Sequence, residues 1–251
     1  MSTKELSAKE QIRYSRQLML DGFGIDAQLR LKNATVLVVG CGGLGSPALM
    51  YLASSGVGRL RLMDDDLVEL SNLQRQVLFK VNHLGQPKAK AAAKVLASLN
   101  NEIAIEALVK RADADNLAEH IRDCDLVLDC SDNFATRYAL NRACYALDKP
   151  LVSAAATGFS AHLAYFDLRS SSSPCYECVF PERLDNPSDN CATQGVIAPL
   201  LGIIGAQQAL LAIQCILGTG ETGVVHSYNA QSLGQKTFKL VKNPDCACCG
   251  K

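Results

Sequence analysis

Hydrophobic and polar positions along the chain predict strands and helices in alternation. The apolar run TVLVVG from Thr35 predicts a buried strand, and a glycine-rich turn separates it from a helix over residues 44–54. A second strand follows over residues 60–63. This order is a βαβ unit, so we expect its two strands to lie parallel in one sheet.

The alternation continues through the rest of the chain. We predict helices over 87–99, 117–124 and 135–147 and strands over 103–109, 126–130, 151–155, 161–166, 224–228 and 237–241. Residues 161–166 alternate between apolar and polar positions more than the earlier strands do. We therefore predict an α/β fold with a Rossmann-like, mostly parallel sheet that turns mixed.

Three segments stand apart from this alternation. Residues 8–20 predict an N-terminal helix, and residues 170–192, rich in Ser, Pro, Asn and Asp, predict a long loop. The longest apolar run, 196–217, has the length of a membrane span, but Pro199, two glycines and three glutamines interrupt it. We expect a buried core helix there.

Composition and charge narrow the functional classes. The 251 residues are 48% hydrophobic, and 25 Lys and Arg balance 25 Asp and Glu, as in a globular enzyme. We expect no nucleic-acid partner and no membrane partner. The N-terminal MSTKELSAKE lacks the apolar segment of a signal peptide, so we expect a cytoplasmic protein.

The glycine-rich turn has the pattern GxGxxG, formed by Gly40, Gly42 and Gly45 with Gly43 between them. Such glycines let backbone amides approach phosphate at a helix N-terminus, and Asp64 at the end of the next strand suits ribose hydroxyls. The pattern alone fits a dinucleotide cofactor, an adenosine nucleotide or a turn needed only for packing.

A charged cluster follows. Asp64, Asp65 and Asp66 lead into the segment ELSNLQRQ and then Lys88. The cations Arg75 and Lys88, with carboxylates beside them, are what a triphosphate and its metal require, because charge on a leaving pyrophosphate must be neutralised. An enzyme that transfers hydride needs no such cluster. Each of these charged residues, taken singly, is more often a solvated surface residue.

Four motifs, GCGGLGS, DDDLVELSNLQRQ, LGQPKA and DCSDNFATR, resemble in order and spacing the ThiF/MoeB/HesA family, related to the adenylation domain of ubiquitin-activating enzymes. The resemblance runs from Arg13 to the final CxxCG. It implies one adenylation domain over 1–251, with a nucleotide-binding core at 35–156 and a carrier-binding and zinc region at 157–251. The implied activity uses ATP to adenylylate the C-terminal carboxylate of a small ubiquitin-like sulfur carrier ending in Gly-Gly, with release of pyrophosphate.

The resemblance also implies residue roles. The implied nucleotide-binding residues are Gly40, Gly42, Gly43, Gly45, Asp64, Asp66, Ser71, Asn72, Leu73, Gln74, Arg75, Lys88, Asp132 and Asn133. Arg75, Lys88 and Asp132 are also implied to be catalytic, and Asp132 to hold magnesium. Arg16 is the fourth implied catalytic residue, reaching the neighbouring subunit's triphosphate in a homodimer. A carboxylate is ionised at neutral pH, so its attack on ATP needs no general base.

The eleven cysteines include two CxxC pairs. Cys175, Cys178, Cys246 and Cys249 supply four thiolates, which predicts a closed zinc site that clamps the C-terminal appendage to the domain. Cys248 lies inside the second pair and could compete with Cys249 for the metal.

Cys191 lies in a polar segment before a helix, where thiolates are favoured. In ThiF-like members, a cysteine here is linked to covalent capture of the carrier. An ordinary loop cysteine is the alternative. We expect the loop over 181–192 to be mobile without a partner and to close over the carrier's Gly-Gly tail. That tail must be narrow, because only glycine lets backbone pass so close to the phosphate.

Alternatives to the adenylyltransferase are a Rossmann oxidoreductase and a nucleotide-binding scaffold without catalysis. Within the family, the carrier is either the small subunit of molybdopterin synthase, slightly favoured, or the thiamine-thiazole sulfur carrier. The sequence stops at Lys251 without a rhodanese-like domain, so we expect sulfur to come from a separate donor protein.

Overall fold

A computed structural model describes residues 5–182 and 195–250 of the chain. Within these residues eight strands form one sheet. The strands are β1 (Thr35–Val39), β2 (Arg59–Met63), β3 (Ala104–Leu108), β4 (Leu126–Asp129), β5 (Leu151–Thr157), β6 (Ser160–Phe166), β7 (Val224–Asn229) and β8 (Gly234–Lys239).

The strands lie in the order β3-β2-β1-β4-β5-β6-β7-β8. The first five are parallel, and β6, β7 and β8 each pair antiparallel with the strand before them. The predicted α/β fold, with a mostly parallel sheet that turns mixed, is confirmed.

Nine helices belong to the described part of the chain. They are α1 (Ala8–Arg13), α2 (Ser15–Leu18), α3 (Gly24–Asn33), α4 (Gly45–Ser54), α5 (Lys88–Leu99), α6 (Leu117–Ile121), α7 (Phe134–Ala146), α8 (Tyr176–Val179) and α9 (Ala198–Leu217).

The central strands are apolar throughout because both faces of the sheet are covered. In β1, Val36 and Val38 pack into the core under α4, α5 and α9, whereas Leu37 and Val39 pack into a second core with α6 and α7. Strands buried on both faces read as continuous apolar runs, and this explains the sequence TVLVV.

Helix α9 is the long apolar segment of the sequence. Among residues 5–182 and 195–250 it is the one helix that is long and apolar enough to cross a membrane. Buried core helices also meet this criterion of length and composition. It packs against α4 and the central strands. Its Gln208 is fully buried, and the side-chain amide donates to the carbonyl oxygens of Asp129 (2.8 Å) and Val152 (3.2 Å). The glutamine thus ties the helix to β4 and β5.

Two predicted elements differ from the structure. The expected helix over 8–20 is broken at Tyr14, whose φ of −98° and ψ of 10° are not helical. The Tyr14 ring is buried, and its hydroxyl accepts a hydrogen bond from Asn100. The expected loop over 170–192 contains α8 within its described part. Long-range packing of Tyr14 against Asn100 accounts for the break in the N-terminal helix.

The contact between α4 and α9 generates a stability prediction. A Cβ at Gly205 would overlap the carbonyl oxygen of Leu44 and the ring of Pro47, whereas a Cβ at Gly202 meets nothing within 4 Å. Gly205→Ala should lower the free energy of unfolding by about 1–3 kcal/mol through overpacking. Gly202→Ala should be neutral or raise it by up to about 1 kcal/mol. Urea unfolding measures both, and equal effects would contradict the proposed close packing.

Candidate functional site

A cavity of about 430 Å³ opens at the carboxyl ends of β1 and β4, where the strand order reverses. Open α/β sheets bind their ligands at this position. The wall comprises Gly40, Gly42, Gly43, Leu44, Asp64, Asp66, Gln74, Arg75, Gln76, Lys88, Cys130, Ser131, Asp132, Arg137, Ala156, Gly195, Val196 and Leu201. Polar groups form most of this wall, as a charged ligand requires.

The glycine loop lies between β1 and α4. Gly40 has a φ of +94°, and a Cβ there would lie 2.6 Å from the carbonyl oxygen of Cys130. A Cβ at Gly45 would overlap the carbonyl oxygen of Gly40. Both positions therefore need glycine. The loop leads into the amino end of α4, the helix end that favours anions.

Asp64 lies beneath the glycine loop. Its carboxylate accepts hydrogen bonds from the backbone N–H of Cys41 (2.7 Å) and of Asp66 (2.9 Å). Burial raises the pKa of Asp64, while these two N–H groups and the charge of Lys88 act in the opposite direction. The carboxylate is thus fixed in the cavity wall.

Lys88 is a buried cation. Only 6% of the residue is exposed, and its ammonium donates to the Asp66 carboxylate at 2.8 Å. Its backbone N–H donates to the carbonyl oxygen of Asp66 at 2.9 Å. Asp66 is largely exposed and Lys88 lines the cavity, so the pair places a cation in the cavity wall, as an anionic ligand requires.

Arg75 is positioned by a short 3₁₀ turn, Leu70–Asn72. The Asn72 side chain is buried and accepts from the backbone N–H of Glu69 at 3.3 Å. The Arg75 guanidinium donates to the Ser71 carbonyl oxygen at 3.0 Å. These bonds bring Arg75 into the same cavity wall as Lys88.

The turn after β4 is held by a buried carboxylate, Asp129, which is 1% exposed. It accepts from the Ser131 hydroxyl at 2.6 Å, the Ser131 N–H at 3.0 Å and the Ser153 hydroxyl at 2.8 Å. Asp132 follows as an exposed residue, and Asn133 caps α7 through the N–H of Thr136 at 2.9 Å. The turn therefore presents Asp132 at the cavity with a fixed backbone.

A second cavity of about 220 Å³ adjoins the first through shared walls. Gly40, Asp64, Asp66, Ser131 and Asp132 line both spaces. Asn133, Lys110 and Arg111 line only the second. Together the two spaces form an extended groove across the ends of β1, β2 and β4.

The two CxxC pairs are far apart in sequence, and the fold brings their four cysteines together. The sulfur atoms of Cys175, Cys178, Cys246 and Cys249 lie within 4.8 Å of one another, with Cys175 and Cys246 at 3.6 Å and Cys178 and Cys249 at 3.3 Å. A tetrahedral ion with metal–sulfur bonds of about 2.3 Å separates its ligands by similar distances. The donor set fits a zinc ion.

Cys248 lies beside this cluster rather than in it. Hydrogen bonding from the Cys248 thiol, with a further contribution from Asn141, lowers the pKa of Cys175 to about 4 although burial opposes it. A thiolate at Cys175 is the form that binds metal. Cys249 belongs to the group of four sulfur atoms that lie within 4.8 Å of one another, and Cys248 does not, so the geometry favours Cys249 as the fourth ligand.

The comparisons with known proteins agree with this architecture. The model of the ThiF family matches residues 14–249. The chain belongs to the ThiF family. It is 44% identical to the molybdopterin-synthase adenylyltransferase of Escherichia coli (strain K12) over 98% of this chain and 99% of the relative. It is 40% identical to the sulfur carrier protein ThiS adenylyltransferase of the same strain, over 98% of this chain and 97% of the relative.

A crystal structure of E. coli MccB with ATP is also similar to this ThiF-family chain. Its TM-score is 0.81 at 25% identity, over 95% of this chain and 75% of that chain. This likeness extends the agreement from sequence to three dimensions.

The structure brings most of the predicted site residues of this ThiF-family chain to the groove. The predicted residues that line it are Gly40, Gly42, Gly43, Asp64, Asp66, Gln74, Arg75, Lys88, Asp132 and Asn133. Gly45, Ser71, Asn72 and Leu73 line neither cavity. Arg16 is exposed on α2, outside both cavities, and Cys191 and positions 183–192 of the expected tail-binding loop lie outside the described residues.

Sequence reasoning missed two buried side chains in the wall, Gln76 and Arg137. Both lie inside motifs quoted for the ThiF resemblance, SNLQRQ and DCSDNFATR, so the motifs themselves were the available signal. Gln76 is 4% exposed, and its amide oxygen has no partner among the described residues. The guanidinium of Arg137 donates to the Ser131 carbonyl oxygen at 2.6 Å.

Gln76 generates the next prediction. Gln76→Met keeps the length of the side chain and removes a buried oxygen that lacks a partner, so the melting temperature should stay equal or rise. Binding of Mg·ATP should weaken by about tenfold if the amide bonds to the ligand. Gln214→Met, at an exposed position outside both cavities, is the control. Calorimetric titration measures the affinity, and unchanged binding would remove Gln76 from the site.

Proposed function

We propose that this chain is an ATP-dependent adenylyltransferase that activates the C-terminal glycine carboxylate of a small ubiquitin-like sulfur carrier and releases pyrophosphate. One observation carries the proposal. A single groove combines a glycine loop, the buried Lys88, Arg75 and Asp132 in a chain similar over its length to two adenylyltransferases.

The reaction follows from this arrangement. The carrier's carboxylate, already ionised, attacks the α-phosphorus of ATP, an oxygen–phosphorus bond forms, and the bond to the β-phosphate breaks. Negative charge then builds on the leaving pyrophosphate. Lys88 and Arg75 neutralise that charge from the cavity wall, and the N–H groups of the glycine loop hold the phosphates.

Magnesium fits the same groove through carboxylate oxygens. Asp132 would hold the ion, since it is exposed at the shared edge of the two cavities and its backbone is fixed. A bound Mg²⁺ supplies charge neutralisation to the phosphates. Lys88 and Arg75 contribute the remaining positive charge.

The proposal also accounts for the chemistry of the wall. No histidine lines either cavity in the described part of the chain, which suits a nucleophile that needs no general base. An oxidoreductase is not supported, because the relatives are adenylyltransferases and the charged wall suits phosphates.

Carrier-dependent exchange of labelled pyrophosphate into ATP tests the proposal. We expect exchange with Mg·ATP and one of two carriers, the small subunit of molybdopterin synthase or the sulfur carrier ThiS. Mass spectrometry should then find that carrier heavier by one AMP. A carrier whose C-terminal glycine is deleted is the control, and failure to exchange with either intact carrier would contradict the proposal.

Sequence identity to the two adenylyltransferases differs only slightly, so it distinguishes little between their two carriers. The identity is 44% to the molybdopterin-synthase adenylyltransferase and 40% to the ThiS adenylyltransferase. We propose the small subunit of molybdopterin synthase as the first carrier to test. Comparing kcat/KM for the two carriers decides between them.

We further propose that the four-cysteine cluster binds one zinc ion as a structural clamp. The cluster joins α8 to the segment after β8, which has few buried side chains of its own. Four thiolates leave no open coordination position, so the metal supports the fold rather than the reaction.

The zinc clamp gives a prediction with a matched control. Cys249→Ser should lower zinc content and melting temperature together, because it removes a ligand. Cys248→Ser changes the neighbouring thiol and should retain zinc. Metal analysis and thermal unfolding measure both variants. Zinc loss in Cys248→Ser with retention in Cys249→Ser would reverse the ligand assignment.

We also propose a homodimer in which Arg16 completes the partner's active site. Arg16 lies outside both cavities of its own chain. Large apolar side chains on the same N-terminal segment are exposed, Ile12 at 77% and Met19 at 73%. An exposed apolar surface of this kind supports burial against a second copy.

Mixed dimers test the arrangement. Arg16→Ala and Asp132→Ala chains should each be inactive alone. After subunit exchange, one site of each mixed dimer carries both intact residues if Arg16 acts on the partner. Random pairing then restores about a quarter of the wild-type sites. No recovery after verified exchange would contradict action across the interface.

Four further features are proposals. No disulfide joins the described cysteines, which supports the cytoplasm as the location. We propose that a separate protein donates the sulfur. The division into a nucleotide-binding core at 35–156 and a carrier and zinc region at 157–251, and a covalent role for Cys191, also stay predictions.

A further inference from the structure

One fully buried amide on α7, the side chain of Asn141, contacts the first CxxC pair. Its oxygen accepts from the backbone N–H of Tyr176 at 2.9 Å. Its nitrogen donates to the Cys175 sulfur at 3.6 Å and to a carboxylate oxygen of Glu177 at 3.1 Å. A single side chain thus binds three consecutive residues at the start of α8.

These three partners fix which way the amide points. The N–H of Tyr176 requires an oxygen opposite it, whereas the Glu177 carboxylate requires a donor. An amide rotated by half a turn would place its oxygen against the carboxylate and its nitrogen against an N–H group. The bonds to Tyr176 and Glu177 therefore hold the second N–H of the amide toward the sulfur of Cys175.

An ion pair fixes Glu177 in its turn. The residue is 3% exposed, and both of its carboxylate oxygens accept from the Arg142 guanidinium, each at 3.0 Å. Arg142 follows Asn141 directly, and Tyr138 lies one turn earlier on α7, with its ring 5.8 Å from that of Tyr176. One face of α7 therefore presents an amide, a cation and an aromatic ring to α8.

A metal ion held by four thiolates gains from such a donor. Four thiolates outweigh the charge of one Zn²⁺, so the site is anionic, and N–H groups directed at its sulfur atoms stabilise it. The Cys178 sulfur accepts from the backbone N–H of Asn243 at 3.4 Å, and the Cys175 sulfur accepts from Asn141. Groups that hydrogen-bond to a ligand orient it and raise its affinity for the metal.

We propose that Asn141 is a positioning residue for the metal, acting through Cys175: its amide orients the thiolate and donates to it beside the zinc ion. The inference rests on the proposed zinc clamp and extends it. Zinc affinity then depends on a residue of the predicted nucleotide-binding core, 35–156, outside the region that supplies the four cysteines.

Asn141→Leu tests the inference, because leucine has a similar size and lacks the donor. Zinc affinity of the full chain, measured by competition with a chelating dye, should fall by about tenfold or more, the usual effect of losing a group that holds a metal ligand. Wild-type affinity in the folded variant would overturn the inference.

Asn100→Leu is the matched control. Asn100 is equally buried, and its amide donates to the Tyr14 hydroxyl at 2.9 Å and the Ala53 carbonyl oxygen at 2.7 Å and accepts from the N–H of Glu102 at 3.0 Å. None of these partners belongs to the cysteine cluster. Both variants should melt at lower temperature than the wild type, but Asn100→Leu should keep wild-type zinc affinity. Equal losses of affinity would reduce Asn141 to general support of the fold.

Cobalt bound in place of zinc gives a readout that a loss of fold stability does not move. An N–H donor lowers the energy of the sulfur lone pairs, so its removal should shift the sulfur-to-cobalt charge-transfer band to lower energy. We expect this shift in Asn141→Leu at saturating cobalt and the wild-type band in Asn100→Leu. A wild-type band in Asn141→Leu would overturn the inference.

Asn141→Ser is the second variant, for use if leucine prevents folding. Serine leaves space rather than straining the helix contact, and its hydroxyl is too short to reach the sulfur. It should show the same loss of affinity and the same shift, and a wild-type result would contradict the inference. A wild type that binds neither zinc nor cobalt would overturn the zinc clamp together with this inference. Failure of pyrophosphate exchange would contradict the proposed activity alone, because metal titration does not depend on it.

Discussion

The glycine loop after β1 lies directly against the end of β4, at a distance that leaves no room for a side chain. The carbonyl of Cys130 occupies the place that a Cβ at Gly40 would take. Two turns that begin far apart in sequence are thereby held side by side. Asp64 is attached to the first turn through the N–H of Cys41, and Asp132 follows the second. The groove depends on this backbone contact.

Charges in the groove are held by partners before any ligand arrives. Lys88 donates to the carboxylate of Asp66, and Asp64 accepts from two backbone N–H groups. Asp129 accepts from the hydroxyls of Ser131 and Ser153. Each buried charge is therefore already solvated by the protein, which fixes its direction. Groups fixed in this way need little rearrangement when charge develops on a phosphate.

Local sequence patterns were sufficient for the central sheet and for much of the groove. The strands and the glycine loop follow from apolar periodicity and from the conformations that only glycine adopts, both of which are properties of short segments. The break at Tyr14 was not predictable in this way, because it depends on packing against Asn100, far along the chain. Gln76 and Arg137 were missed although both lie inside quoted motifs, because a motif does not show which of its side chains are buried in the cavity wall.

The four-cysteine cluster joins positions that are 71 residues apart, Cys175 to Cys246 and Cys178 to Cys249. A metal ion bound there would close a ring of chain that contains α9, β7 and β8. Such a ring restricts the unfolded chain, and a cross-link over this length removes conformational entropy worth about 4 kcal/mol. In a reducing environment, thiolates around a metal can provide the topological restraint that a secreted protein obtains from a disulfide bond.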